Sequence, residues 1–378
     1  MAIRPVVSRT VDRALNTAVA GNVPVVRPEV MSFHRRIPVV DLLVGTVLFR
    51  SGFLRRRRRG HVDLPRLRDA GVDLIGLSVA TRFPDLAGTL SAPHLWSLGV
   101  PARTLRSPLA TTEWLADRIE GWAAASGGRL QIVRSRADLD AVVSPDGAAA
   151  SPAGRRDRPV GAFIGVQGGH NLESRLEHVS RLHARGVRMM ALAHVMDNAL
   201  AGSGTGRGGG GLSPMGRDVI GEMERVGMVV DLAHMSSAAI RDAVPLLRRP
   251  FLLSHTGFVE RCARRGRRRY SAVSRNVSSD DALLIAEAGG VVGVAYATQL
   301  FCGDTLAHLI DTIRFAVDLL GADHVALGSD LDGALRAVLD VSRTPLITQG
   351  LLDAGMTRHE VAAVMGGNAL RVLRSVLA

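Results

Sequence analysis

The chain has 378 residues, 47% of them hydrophobic, with 41 Gly and 16 Pro. It is long enough to bury a large core, and a disordered or collagen-like chain is excluded. Aromatic residues make up only 4%, so Ala, Val, Leu and Ile must fill the interior, as they do in parallel barrels rather than aromatic-rich sandwiches. All 47 basic residues are Arg against 35 carboxylates, a formal charge of +12; without Lys, a Schiff-base Lys, a phosphate-loop Lys and a carbamylated metal-bridging Lys are ruled out.

Residues 1–36 read as a polar lead-in and residues 37–378 as one domain. Short Val- and Ile-rich runs predict strands at 39–49, 72–80, 160–166, 187–193, 228–233, 251–254, 291–295 and 325–328. Helical patterns separate them at 113–125, 172–184, 214–225, 236–247, 279–288 and 305–320. Asp63 ahead of Pro65, Ser213 ahead of Pro214, Ser236 and Ser279 read as helix starts, and Gly186 and Gly321 as helix stops. Near-continuous apolar strands alternating with helices predict a parallel sheet, and eight such units predict a (β/α)8 TIM-type barrel.

Three stretches depart from the alternation. Residues 126–158, rich in Gly, Ala, Ser and Arg, read as an insertion. Residues 202–211 are almost pure Gly, Ser and Arg and read as a mobile loop over the barrel mouth; no Lys-Ser/Thr follows to make a phosphate loop. The runs Arg55 to Arg59 and Arg264 to Arg269 have only Phe53 and Tyr270 near them. They read as solvated loops, so nucleic acid is not expected as a partner, although binding to nucleic acid or an anionic surface is the alternative they leave open. A third reading makes the second run an electropositive rim.

Cys262 and Cys302 are too few for a disulfide framework or a Cys-based zinc site and read as two separate thiols, which suits a reducing compartment. Arg4, Arg9, Asp12 and Arg13 interrupt any signal-like apolar run, and no transmembrane stretch or lipid-anchor signal is found. The expectation is a cytoplasmic chain without a membrane anchor, its oligomeric state left open.

Polar residues stand at the strand ends. Gln167 follows Val166, His194 follows Ala193, His234 follows Ala233, His255 follows Ser254 and Asp330 follows Ser329. In a barrel these positions converge on the catalytic face.

Eight blocks carry a more specific signal: His61-Val-Asp-Leu-Pro-Arg-Leu-Arg, Gly165-Val-Gln-Gly-Gly-His170, Leu212-Ser-Pro-Met-Gly216, Gly227-Met-Val-Val-Asp-Leu-Ala-His234, Leu253-Ser-His-Thr256, Ser274-Arg-Asn276, Gly328-Ser-Asp-Leu-Asp-Gly333 and Gly366-Gly-Asn-Ala-Leu-Arg-Val372. In this order, from about residue 37 to the end, the chain resembles the renal (membrane) dipeptidase family of zinc metallopeptidases. The resemblance implies a barrel of the metal-dependent hydrolase kind with two zinc ions and dipeptide substrates. It implies that His234 and His255 are the paired ligands of one ion and that Gln167 stands where a Glu bridges both. It further implies that His194 holds the substrate carbonyl oxygen, Arg275 its terminal carboxylate, and that Asp330 is the acid/base.

The family's Asp-x-His-x-Asp pattern on the first strand reads here Asp41-Leu42-Leu43-Val44-Gly45. Leu43, Gly45 and Gln167 therefore leave the first ion without its ligands. At most one zinc is expected, on His234 and His255 with Asp330, with Gln167 at its edge, and a chain without metal is the other expectation. Restoring Leu43→His, Gly45→Asp and Gln167→Glu together is expected to recover two ions if the scaffold is otherwise intact. His61-Val-Asp63 reads as a helix start rather than a relocated ligand pair, and His170 as a packing residue beneath the third-strand loop. Two functions stay open: a single-metal hydrolase of dipeptide-like amides, and an inactive homologue binding a dipeptide-like or carboxylate ligand.

Overall fold

Every predicted apolar run becomes a strand of one parallel sheet in the computed structural model, which describes residues 15–18, 24–49, 52–82, 91–143, 158–262 and 272–378. In chain order the strands are β1 (Thr17–Ala18), β2 (Val40–Val44), β3 (Leu74–Ala80), β4 (Leu130–Ile132), β5 (Val160–Gln167), β6 (Val187–Ala191), β7 (Val229–Asp231), β8 (Leu252–Thr256), β9 (Val291–Val294), β10 (Val325–Leu327) and β11 (Arg336–Ala337). The main sheet runs β10-β9-β8-β7-β6-β5-β3-β2, all parallel. It closes through the segment after β10: Val44 bridges Leu331, and the Asp330 N–H donates to the Leu43 carbonyl at 2.9 Å. The chain is thus an eight-stranded TIM-type barrel.

Inside the barrel the strands pack Leu42, Leu43, Leu74, Phe163, Met189, Val229, Leu252 and Val291 into one apolar cluster, which runs on to Ala369, Leu370 and Leu373 of the helix Asn368–Val376. Helix boundaries follow local chemistry. Ser213 caps Pro214–Val226 by accepting the Gly216 N–H, and Gly227 ends it at φ 79°, a left-handed turn suited to Gly. The stretch expected as one helix over 172–184 divides into the turn Gly169–Leu172 and the helix Glu177–Ala184, because Glu173 and Ser174 take left-handed backbone between them. Ser278, one residue before the expected Ser279, caps Ser279–Glu287. The segment 126–158 holds β4, which pairs with the first half of β5, and the helix Arg136–Val142 with a Ser135/Asp138 capping box.

Two expectations change. Cys262 and Cys302, read as separate thiols, form a disulfide across 40 residues of sequence. Their spacing hid this because β8 and β9 bring the two following loops side by side. A cross-link closing a loop of this length restricts the unfolded chain by about 4 kcal/mol, and the pair no longer argues for a reducing compartment. The Gly-rich loop is anchored rather than floating: the Asp197 carboxylate accepts the N–H groups of Ser203, Arg207 and Gly208 at 2.7, 2.9 and 2.8 Å. Among the described residues, no helix is long and apolar enough to cross a membrane.

A histidine and arginine pocket at the barrel mouth

The C-terminal strand ends gather the polar residues around a cavity of about 210 Å³ lined by Gln167, His194, His234, Arg275 and Asp330, together with Gly45, Phe49, Thr205 and Gln299. Gln167 is the last residue of β5 and His255 lies within β8, whereas His194, His234 and Asp330 sit three residues beyond β6, β7 and β10. His234 and Asp330 take left-handed backbone, φ 67° and 58°. Non-glycine residues are held there only where the surroundings fix them, a feature concentrated at binding sites.

The two imidazoles of His234 and His255 face each other, with Nε2 to Nε2 at 3.0 Å. His255 is backed by a relay: its Nδ1 lies 2.9 Å from Ser254 Oγ, which donates to Asp231 at 2.6 Å. A matching arrangement supports the other wall, where Asp41 accepts from the Ser329 N–H at 2.8 Å and from its hydroxyl. His234 Nδ1 is buried without a hydrogen-bond partner among the described residues. His194 packs edge-on against His234, with ring centroids 4.5 Å apart, and its Nδ1 lies 3.1 Å from the Arg82 carbonyl. A carbonyl only accepts, so Nδ1 carries the proton and the neutral ring offers Nε2 as an acceptor.

Arg275 enters from the loop after β8. One of its terminal nitrogens donates to the His255 carbonyl at 2.9 Å and lies 3.3 Å from His234 Nε2. Its side chain keeps some surface at the pocket, yet burial of the charged end lowers its pKa to about 10, against the raising influence of Asp330 and Asp231. Burial lowers His194 to about 4 and takes His234 and His255 well below the ordinary value, with Arg275 adding to both. Among the described residues that line the pocket, neutral imidazoles surround one guanidinium, that of Arg275. Burial raises Asp330 to about 7, opposed by Arg275, and Asp41 to about 6, opposed by its bonds from Ser329.

The raised Asp330 has a measurable consequence. A carboxyl whose folded pKa lies above its unfolded value stabilises the fold below about pH 4, and this contribution is lost as pH rises through about 7. Asp330→Asn, which keeps the neutral shape, should match the parent in urea unfolding near pH 3 and exceed it by roughly 4 kcal/mol at pH 8. Equal stabilities at pH 8 would remove the buried-carboxyl account.

Several other residues take structural posts. Asp63 caps Leu64–Ala70 by accepting the Arg66 N–H at 2.9 Å. His61 is fully buried, and its Nδ1 accepts the Asp332 N–H at 3.1 Å. His170 meets the Thr81 hydroxyl at 2.9 Å, and burial lowers its pKa to about 3. Within the first Arg run, the carbonyl of Arg57 accepts from Arg66, and Arg56 pairs with Asp69; Arg264 to Arg269 lie outside the described residues. The supporting pairs Asp231–Ser254 and Asp41–Ser329 were missed by the sequence reading. Their signal was available: a Ser directly precedes both His255 and Asp330.

The family model described as membrane dipeptidase, peptidase family M19, matches residues 28–378. The chain belongs to this family. The dipeptidase aclJ of Aspergillus oryzae (strain ATCC 42149 / RIB 40) is 34% identical over 227 residues, 57% of this chain and 52% of that protein. The dipeptidase tcpJ of Claviceps purpurea (strain 20.1) is 29% identical over 329 residues, 84% and 69% respectively. The chain thus spans about half of the first relative's length and about two thirds of the second's. Among solved structures, a metallo peptidase from Rhodobacter sphaeroides, liganded with a phosphinate mimic of the dipeptide L-Ala-D-Ala, superposes with a TM-score of 0.70. It is 20% identical, over 90% of this chain and 99% of that one, and shares its fold.

The peptidases of this family depend on metal, so the donor set decides whether these residues fit an ion. His234 and His255 supply two nitrogens at one point, and the Asp231 relay behind His255 is the support a metal-ligating imidazole needs. No third donor completes the shell: among the described residues, no three His, Cys, Asp or Glu side chains are grouped to hold an ion. Leu43 lies buried among apolar side chains, Gly45 has no side-chain donor and Gln167 is neutral. At about 4 Å and an effective dielectric of 20, a dication beside a guanidinium meets roughly 8 kcal/mol of repulsion, and Arg275 stands against the same His234 nitrogen. The residues present do not fit a catalytic zinc shell, which takes three protein ligands and a water.

Proposed function

We propose that this dipeptidase-family protein binds a dipeptide-like ligand without hydrolysing it. The ligand carboxylate docks on Arg275, and its ammonium group faces Asp330. The observation that carries this reading is the guanidinium itself: a fixed cation at the wall of a partly open cavity, against neutral imidazoles, suited to a planar carboxylate. His194 Nε2 accepts from an amide N–H, and the Gln167 amide serves the carbonyl beside it. The cavity, about 210 Å³, falls below the roughly 300–1,000 Å³ typical of drug-sized ligands, in keeping with a molecule of two residues.

A second reading, a single-metal hydrolase on His234, His255 and Asp330, is favoured by the Asp231–Ser254–His255 relay. Titration calorimetry with a dipeptide panel, before and after dialysis against chelator and with release of free amino acids followed in parallel, separates the two. Binding unchanged by chelation with no release supports the receptor. Turnover lost on chelation and restored by zinc would replace it with the hydrolase.

A further inference from the structure

The N-terminal residues reach the same mouth. β1 pairs in parallel with β11, Thr17 against Arg336 and Ala18 against Ala337, and the Thr17 N–H donates to the Leu335 carbonyl at 3.3 Å. Asn16 is buried beneath this contact, and its side-chain oxygen accepts the N–H groups of Ala334 and Leu335 at 2.9 and 3.3 Å. Ala334 lines the cavity that holds Arg275 and Asp330, as does Gly333.

The loop that Asn16 grips is unusual. Within five residues, Asp330, Asp332 and Ala334 all take left-handed backbone, φ 58°, 60° and 65°, a conformation that side chains carrying a Cβ adopt only when held there. The barrel holds the first two. The Asp330 N–H is bonded to Leu43, and the Asp332 carboxylate accepts from the Thr46 hydroxyl at 3.0 Å and from the His61 and Val62 N–H groups at 2.7 and 3.2 Å. Ala334 is held instead from across the sequence, by Asn16, 318 residues away.

We infer that Asn16 is a positioning residue for the ligand pocket: it fixes Ala334 in its left-handed turn, and through it the wall beside Asp330. The inference rests on the receptor reading for its ligand, but not for its geometry. The N-terminal strand is then part of the binding site. A polar side chain at position 16 is required for its acceptor oxygen, not for its own contact with ligand.

Three variants test it. Asn16→Leu removes the acceptor, Asn16→Asp keeps it, and Asn16→Leu with Ala334→Gly supplies a residue that enters the left-handed region unaided. Asn16→Leu should weaken dipeptide binding about tenfold, Asn16→Asp should retain most of it, and Ala334→Gly should restore it in the Asn16→Leu background. Hydrogen exchange at the Ala334 and Leu335 amides, which needs no ligand, should quicken in Asn16→Leu and not in Asn16→Asp. Unchanged exchange in Asn16→Leu would overturn the inference whatever the ligand. So would binding equal to the parent, or a binding loss that Ala334→Gly leaves untouched. A parent protein that binds no dipeptide, with exchange quickened as expected, would sink the receptor reading and leave the role of Asn16 standing.

Discussion

Arg275→Met is expected to weaken dipeptide binding at least about 100-fold, since a buried charge-assisted pair commonly contributes 2–5 kcal/mol. The fold should persist, because the substitution removes a desolvated cation and leaves a chain of similar length in its place. Arg275→Lys should fall between, keeping the charge while losing the fork that meets a carboxylate through two N–H groups. A C-terminally amidated dipeptide should bind the parent as poorly as the free dipeptide binds Arg275→Met, and Arg275→Met should not distinguish the two ligands. Calorimetric titration over this square of two proteins and two ligands measures the pairing directly. If amidation costs the same in both proteins, Arg275 is not the carboxylate partner.

The second large effect concerns reversion. Leu43→His, Gly45→Asp and Gln167→Glu together are not expected to recover two zinc ions, contrary to what the family resemblance alone implies. A Cβ at Gly45 would lie 2.8 Å from the Asp332 carbonyl oxygen and 2.9 Å from Gly333 Cα, both backbone atoms. The backbone has closed over the space a carboxylate would need, and overpacking of this kind costs roughly 1–3 kcal/mol. Leu43→His adds an imidazole to an apolar cluster that includes Phe163 and Leu252. The triple variant should therefore unfold at lower denaturant and bind fewer than two ions per chain. Gln167→Glu alone, which adds an anion beside two imidazoles, should bind at most one. Elemental analysis with urea unfolding checks both, and a stable triple variant carrying two ions would refute the argument.

The barrel was legible because its signal repeats: each strand is a nearly unbroken apolar run, and only closure into a cylinder buries both faces of all eight. The convergence of Gln167, His194, His234 and Asp330 on one cavity follows from that closure and the strand ends. What could not be read depends on contacts between loops. The Cys262–Cys302 link needs β8 and β9 to be neighbours, and the Asn16 contact joins the two ends of the chain. The approach of Asp332 to Gly45 is a matter of backbone path, on which residue types are silent. Residues 172–184 show the limit of periodicity alone: an apolar helical spacing was present, but the left-handed Glu173 and Ser174 delay the helix to Glu177.

The loop that delivers Arg275 is pinned at both ends. Cys262 is covalently tied to Cys302, and Asn276 donates to the Leu300 carbonyl at 2.6 Å. The aim of the guanidinium is thereby set by two moorings, one covalent and one hydrogen-bonded, that lie on either side of it along the chain.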